Sequence, residues 1–512
     1  MNPYMEKAQY REQMIPEYRG NPLIEALPEI WASDTVVEML SEAASYHDGE
    51  RTLDACYRMH CIQRLFHYFQ PLEQHIDIEQ RISRCIRQGY LNRNPCTRNY
   101  AKILADGYAA QTDRSGYESI RGFRPNASGF TIIGMSGVGK STAVERILSL
   151  YPQRISHVRY HGKPLPITQL VWLKLDCPYD GSVKGLCFQF FEALDRAMGT
   201  EYFLKYAKSR YTVDVLMVLM TQMVNLYQIG ILVIDEIQHL SLAKGGGSEK
   251  MLNFFVTLVN TIGIPVVMIG TTKAMSILQS EFRQARRGSG QGDLLWDRMR
   301  NDASWKLFVA SMWRHQWTRE KVPLTKTLVD VLYDESQGII DISVKLYAMV
   351  QIKAIMTGTD TFTSRDFHRA ATEKLGLVKP MLDALRKGDK RKIRQYSDIS
   401  PISIEDYLAS CAAAMGEKAP EKKPQQTVSA LERAVLKLLE LGVEPGTAKR
   451  LAGKALALHK NPVEVALIVK EAYRFYITEA PDMETDTDEA DLRNQKSYGE
   501  MERNGLIDEG KW

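Results

Sequence analysis

No Cys-x-x-Cys pair occurs in this sequence, and its seven cysteines are scattered over 512 residues. An odd, dispersed set of thiols excludes a disulfide framework and points to a reduced, cytosolic protein. Cys56, His60, Cys61, His67, Cys85 and Cys96 cluster in the first hundred residues, but their spacing matches no common zinc site and suits half-buried helix faces. No run of about 18 apolar residues is present, so no segment reads as a membrane-spanning helix. Residues 1–11 are polar and charged, without the apolar stretch of a secretory signal. A dominant charge sign is lacking too. The 66 basic and 62 acidic side chains leave a net charge of +4, too mild to demand a polyanionic partner. The imbalance is local. Lys379, Arg386, Lys387, Lys390, Arg391, Lys392 and Arg394 outnumber Asp383 and Asp389, whereas Glu479–Asp491 is acidic. The basic run fits a DNA contact or a solvated helix equally well.

What is present is ordinary globular composition, 44% hydrophobic and 25% charged, over a length suited to about three domains. Residues 1–99 read as an extended arm followed by a helical domain, with Ile62, Leu65, Phe66 and Phe69 at helical spacing. Residues 100–318 alternate short apolar runs with helical patterns. Phe130–Ile133, Leu170–Leu175, Ile231–Ile234 and Val266–Ile269 are rich in β-branched residues, the signature of a parallel sheet covered on both faces. Residues 319–378 read as a helical lid, and 379–426 as a basic segment and linker. Residues 427–477 form a small three-helix module, with Pro445 and Gly446 in a turn between helices. Residues 478–512 read as an acidic disordered tail.

The strongest motif is Gly134, Met135, Ser136, Gly137, Val138, Gly139, Lys140, Ser141, a GxxxxGKS loop between an apolar strand and the helix that Thr142 enters. Glycines let backbone N–H groups turn inward around phosphates, and the helix N-terminus favours anions. Lys140 is placed to reach the β- and γ-phosphates of ATP, and the Ser141 hydroxyl to ligate Mg2+. About 90 residues on, Ile231–Ile234 ends in Asp235 and Glu236. Asp235 suits the magnesium shell, and Glu236 suits the base that polarises attacking water. Val266–Ile269 ends in Gly270, Thr271 and Thr272. Either hydroxyl fits a γ-phosphate contact, and either fits an ordinary helix N-cap.

Together these elements resemble an AAA+ ATPase from Gly129 to Leu377. The resemblance implies an α/β fold: an AAA+ P-loop NTPase core with parallel sheet and helical lid, here flanked by the N-terminal helical domain and the small C-terminal helical module. It also implies an arginine acting on a neighbouring subunit's nucleotide, for which Arg286, Arg287 and Arg298 are candidates. It implies a lid cation as well, at Lys345, where the family commonly has Arg; Lys lacks the bidentate fork.

A finer resemblance is to the TnsC family, regulator ATPases of Tn-seven-like transposons, and more distantly to TniB. It rests on Tyr18–Pro28, Gln63–Glu73, the P-loop ending in Ser141 and Thr142, Trp172–Pro178 and Asp235–Leu240. That family implies homo-oligomeric rings or filaments on duplex DNA, bound without base reading. The partners implied are a transposase, an endonuclease subunit, and a target selector that is a protein or an RNA-guided complex. The same resemblance points to Lys163, Ser182 and Lys184 as DNA-facing; for either lysine alone, plain surface solubility is the competing explanation. Two other classes remain open. One is an initiator or helicase-loader type ATPase, against which the lack of an evident winged-helix domain counts. The other is a P-loop signalling scaffold that never touches DNA.

Overall fold

Buried runs rich in β-branched residues form the three central strands of a five-stranded parallel sheet, whose strand C-termini all lie at one edge. The structure, a computed structural model, describes residues 5–41, 46–97, 129–207, 211–242, 264–275, 292–389 and 391–393, and parts of 434–475. Its strands are β1 (Met5–Lys7), β2 (Phe130–Gly134), β3 (Arg154–Tyr160), β4 (Lys163–Leu170), β5 (Trp172–Asp176), β6 (Ile231–Asp235), β7 (Val266–Gly270) and β8 (Asp293–Trp296). The main sheet runs β5-β6-β7-β2-β8, all parallel. Every residue of β2, β6 and β7 is buried, as expected of central strands covered on both faces.

The register fixes the site. Ile133 pairs with Gly270, Ile234 with Met268 and Asp176 with Asp235, so the ends of β2, β7, β6 and β5 lie within two residues of one another. One strand, β7, separates the P-loop strand from the strand that ends in Asp235.

The sheet differs from the sequence expectation in two places. The run Leu170–Leu175 is not one strand. Leu170 ends the antiparallel hairpin β3–β4, and β5 begins at Trp172. That hairpin forms a second sheet with the N-terminal arm, because β1 pairs in parallel with β3. β8 was also not anticipated.

The N-terminal helices attach to two bodies. Helix Glu73–Leu91 packs across the sheet end remote from the P-loop: Tyr90 Oη donates to Gln228 O at 2.7 Å and Arg93 Nη1 to Ile229 O at 2.7 Å. A Cβ on Gly230 would collide with Val171 O and Tyr90 Oη, so this close crossing requires glycine. Residues 46–62 instead grip the lid. Tyr46 Oη donates to Gln316 O at 2.9 Å, Trp317 Nε1 to Glu50 Oε2 at 2.8 Å, and buried Arg58 pairs with Asp360. Cys61 and Cys85 are buried in the same core, whereas Cys56 and Cys96 are exposed. Among the described residues, no three His, Cys, Asp or Glu side chains converge as a metal site.

The lid contains helices Lys326–Ser336, Ile340–Thr357 and Ser364–Lys374. Helix Lys379–Lys387 then buries Met381, Leu382, Ala384 and Leu385, and its Arg386 pairs with Asp334 and Asp383. Lys390 and Arg394 of the basic run lie outside the described residues. Residues 413–512 cluster as a separate unit. In it, helix Pro445–Ala457 packs Ala448, Leu451, Ala452 and Ala455 with Leu438, Ile468 and Ala472. Pro445 and Gly446 open this helix rather than form the turn before it, which suits a proline whose missing N–H needs no partner there. The linker and the acidic tail lie outside the described residues. No described helix is long and apolar enough to cross a membrane.

Candidate nucleotide site

The P-loop leaves β2 at Gly134 and enters helix Lys140–Ser149 through Gly139. Gly137 and Gly139 have φ of +79° and +95°, a left-handed backbone that glycine adopts without strain. Gly139 is the N-cap, and among the described residues no side chain caps the helix. Its first N–H groups therefore face the loop, as an anion cradle requires. Lys140 is buried and folds over the loop, with Nζ 3.0 Å from Gly134 O and 2.7 Å from Met135 O. Ser136 and Val138 complete the turn, and Thr142 is exposed on the first helical turn.

The acids stand at the end of β6. Asp235 is 3% exposed. Its Oδ1 accepts the Glu236 N–H at 2.8 Å, and its Oδ2 lies 3.3 Å from Lys174 Nζ on β5. Lys174 also pairs with Glu145 of the P-loop helix. Burial works against this ammonium, but Glu145 and Asp235 outweigh it and hold its pKa above the ordinary lysine value. Glu145 lies four residues after Ser141, so the two share a helix face one turn apart. The bridge Glu145–Lys174–Asp235 thus brings Asp235 to the helix face that carries Ser141.

Glu236 has φ of +57°, an uncommon conformation for a side-chain-bearing residue. Its carboxylate accepts the Gln238 side-chain amide, and Gln238 Oε1 accepts Thr271 N–H at 3.0 Å. Gln238 follows in the short 3-10 helix Ile237–Leu242. Thr271 is 6% exposed, and among the described residues its hydroxyl has no hydrogen-bond partner. Thr272 is half-buried beside it. A buried orphan hydroxyl needs a polar neighbour; a phosphate oxygen or a bound water supplies one, so this donor set fits a triphosphate.

The lid closes the other side. Asp341 N–H donates to Gly137 O at 3.1 Å, and Lys345 Nζ pairs with the Asp341 carboxylate at 2.8 Å. Lys345 is thus one turn along the lid helix from the P-loop contact. Arg298 is engaged within its own chain: Nη1 donates to Gln337 O at 2.8 Å and to Gln337 Oε1 at 2.9 Å, just before that helix. Arg286 and Arg287 lie outside the described residues.

The DNA candidates lie on two elements. Lys163 is exposed at the tip of the β3–β4 hairpin, whose turn places His161 and Gly162 at positive φ. Ser182 caps helix Val183–Met198, its Oγ accepting Gly185 N–H at 3.2 Å, and Lys184 Nζ sits 5.6 Å from the Phe188 ring. Sequence reasoning assigned no role to Lys174, Glu145, Gln238 or Asp341. A lysine in the middle of an otherwise apolar strand was the available signal for the first.

A parallel five-stranded sheet of this order, with a glycine cradle, strand-end acids and a helical lid, is an AAA+ P-loop fold. Residues 125–278 match the model of a family described as an AAA domain. No curated protein sequence matches the chain. Solved structures resemble it loosely. The ORC2 protein of Aeropyrum pernix, solved as ADPNP-ADP complexes, is 11% identical over 81% of this chain and 88% of its own, with a TM-score of 0.32. The ORC1 protein of the same organism, in complex with DNA, is 12% identical over 81% and 86%, with a TM-score of 0.32. The Cdc6p of Pyrobaculum aerophilum is 12% identical over 68% and 96%, with a TM-score of 0.35. Likenesses this loose assign no function.

Proposed function

We propose that this chain is an ATPase switch that assembles on duplex DNA and regulates transposition, as the TnsC-like motifs imply. The observation that best supports the ATPase reading is the relay from Glu236 through Gln238 to the Thr271 N–H, on a residue whose buried hydroxyl has no partner among the described residues. In this reading Glu236 is the base, Gln238 its orienting group and Thr271 the polar contact for a bound triphosphate.

Each residue then has a task. Lys140 leaves its loop carbonyls for the β- and γ-phosphates. Ser141 and Asp235 would hold Mg2+, which would neutralise phosphate charge when bound. Glu236 takes the proton of the attacking water, held in line by Gln238, and Thr271 anchors the water or the γ-phosphate. Lys345 and Asp341 carry occupancy of the P-loop into the lid. A trans-acting cation comes from Arg286 or Arg287, or from Arg298 once it leaves Gln337. ATP binding favours assembly in a ring or filament, and turnover resets it. Lys163, Lys184 and the Ser182 hydroxyl, whose proton remains free to donate, contact phosphates without reading bases. The assembly passes a target-site signal from a selector to the transposase and its endonuclease partner, in a reduced cytosolic setting.

Electron microscopy of the protein with random-sequence duplex tests this reading. Oligomers on DNA are expected with a slowly hydrolysed ATP analogue and not with ADP. Binding should weaken steeply between about 50 and 200 mM salt if several phosphates are contacted. Absence of analogue-dependent DNA binding excludes the transposition role and leaves the scaffold reading. Assembly confined to one origin-like sequence favours an initiator instead.

A further inference from the structure

We propose that Lys174 is a resident counter-cation for Asp235, which magnesium–nucleotide must displace, and that Glu145 receives the ammonium when it leaves. The inference rests on the reading of Asp235 as part of the metal's shell.

A carboxylate that is 3% exposed is costly to keep charged without a partner. Asp235 has a local backbone N–H on one oxygen and the Lys174 ammonium 3.3 Å from the other. That ammonium is shared. Lys174 also pairs with Glu145, whose side chain is 57% exposed against 4% for Asp235. Hydration can therefore support Glu145 alone, but not Asp235 alone. Glu145 lies one helical turn after Ser141, so the ammonium bridges the helix face that carries Ser141 and the Asp235 carboxylate. Two cations on one buried carboxylate repel strongly in this low-dielectric setting, so they compete. Lys174 also lines a groove of about 370 Å³ between β5 and helix Val183–Met198, with Asp176 and Glu192. The long side chain has space to swing without moving the sheet.

The magnesium requirement for nucleotide binding therefore depends on Lys174. In the full chain, binding of a fluorescent, slowly hydrolysed ATP analogue is titrated with Mg2+. Lys174→Met should lower the Mg2+ midpoint roughly tenfold, the scale of removing one nearby competing charge. Glu145→Gln, a change at an exposed carboxylate, should raise it severalfold by holding the ammonium on Asp235. Lys174→Arg should stay near wild type. Thermal unfolding supplies a second readout: Lys174→Met should melt early in EDTA and regain stability with Mg2+ alone, while wild type responds weakly. Wild-type binding with an unshifted or higher midpoint in Lys174→Met overturns this proposal alone. A wild type that binds no analogue at any Mg2+ concentration overturns the nucleotide reading together with it.

Discussion

Gln238 joins Glu236 to the end of the neighbouring strand: its amide nitrogen donates to the Glu236 carboxylate while its oxygen accepts the Thr271 N–H at 3.0 Å. One side chain thus orients the expected base and reports the position of β7. Gln238→Leu keeps the volume and removes both bonds. Nucleotide affinity should change less than about twofold, while turnover falls about tenfold, a fraction of a full general-base effect. Phosphate-release kinetics beside equilibrium binding separate the two. Equal losses in both would mean the residue is only structural.

Glu236→Gln should retain nucleotide binding and lose roughly 10²- to 10⁴-fold in turnover, because only proton acceptance is removed. DNA-bound oligomers should persist longer, measured by dissociation after dilution. Turnover equal to wild type would assign the base elsewhere.

The Arg58–Asp360 pair ties the N-terminal helices to the lid. Burial alone would raise the Asp360 pKa, but the Arg58 guanidinium holds it below the usual value. Asp360→Ala leaves Arg58, 2% exposed, without its charge partner and should cost about 3–5 kcal/mol. Urea denaturation followed by tryptophan fluorescence checks this, since Trp317 packs beside the pair and its carbonyl accepts from Arg58 Nη1 at 3.0 Å.

His75 supplies a pH dependence. Burial lowers its pKa to about 4, and its Nδ1 accepts the Leu72 N–H at 2.8 Å. The unfolded chain binds the proton near pH 6.5 and the folded chain does not, so stability is full above that value. It falls with acidification toward pH 4, by roughly 3 kcal/mol in all. His75→Gln should flatten the midpoint curve over this window, as seen by denaturation at several pH values.

Much of the site was legible because its chemistry is local in sequence. The loop from Gly134 to Ser141 carries its own spacing, and the runs ending at Asp235 and Gly270 are apolar enough to read as buried strands. What escaped depends on distant pairing or mixed composition. The second sheet joins Met5–Lys7 to Arg154–Tyr160, a pairing no local pattern announces. The segment Lys163–Leu170 holds two prolines, Pro164 and Pro166, that argue against a strand. Asp293–Trp296 is four residues long, with Asp293 bonded to Thr131 Oγ1 and Leu295 left 65% exposed. Neither alternation nor a full apolar run marks it. Lys174 and Gln238 are visible as letters, but Glu145 and Asp235 for the first, and Thr271 for the second, come from other strands and helices.

The central claim is that one magnesium–triphosphate sits between the glycine cradle and the strand-end acids. Calorimetric titration with the ATP analogue tests it most directly, in wild type, Lys140→Ala and Asp235→Asn, each with Mg2+ and with EDTA. The account predicts one site per chain in wild type, none in Lys140→Ala, and in Asp235→Asn an affinity that no longer responds to Mg2+. Undiminished binding in Lys140→Ala, or an unchanged magnesium response in Asp235→Asn, would contradict it.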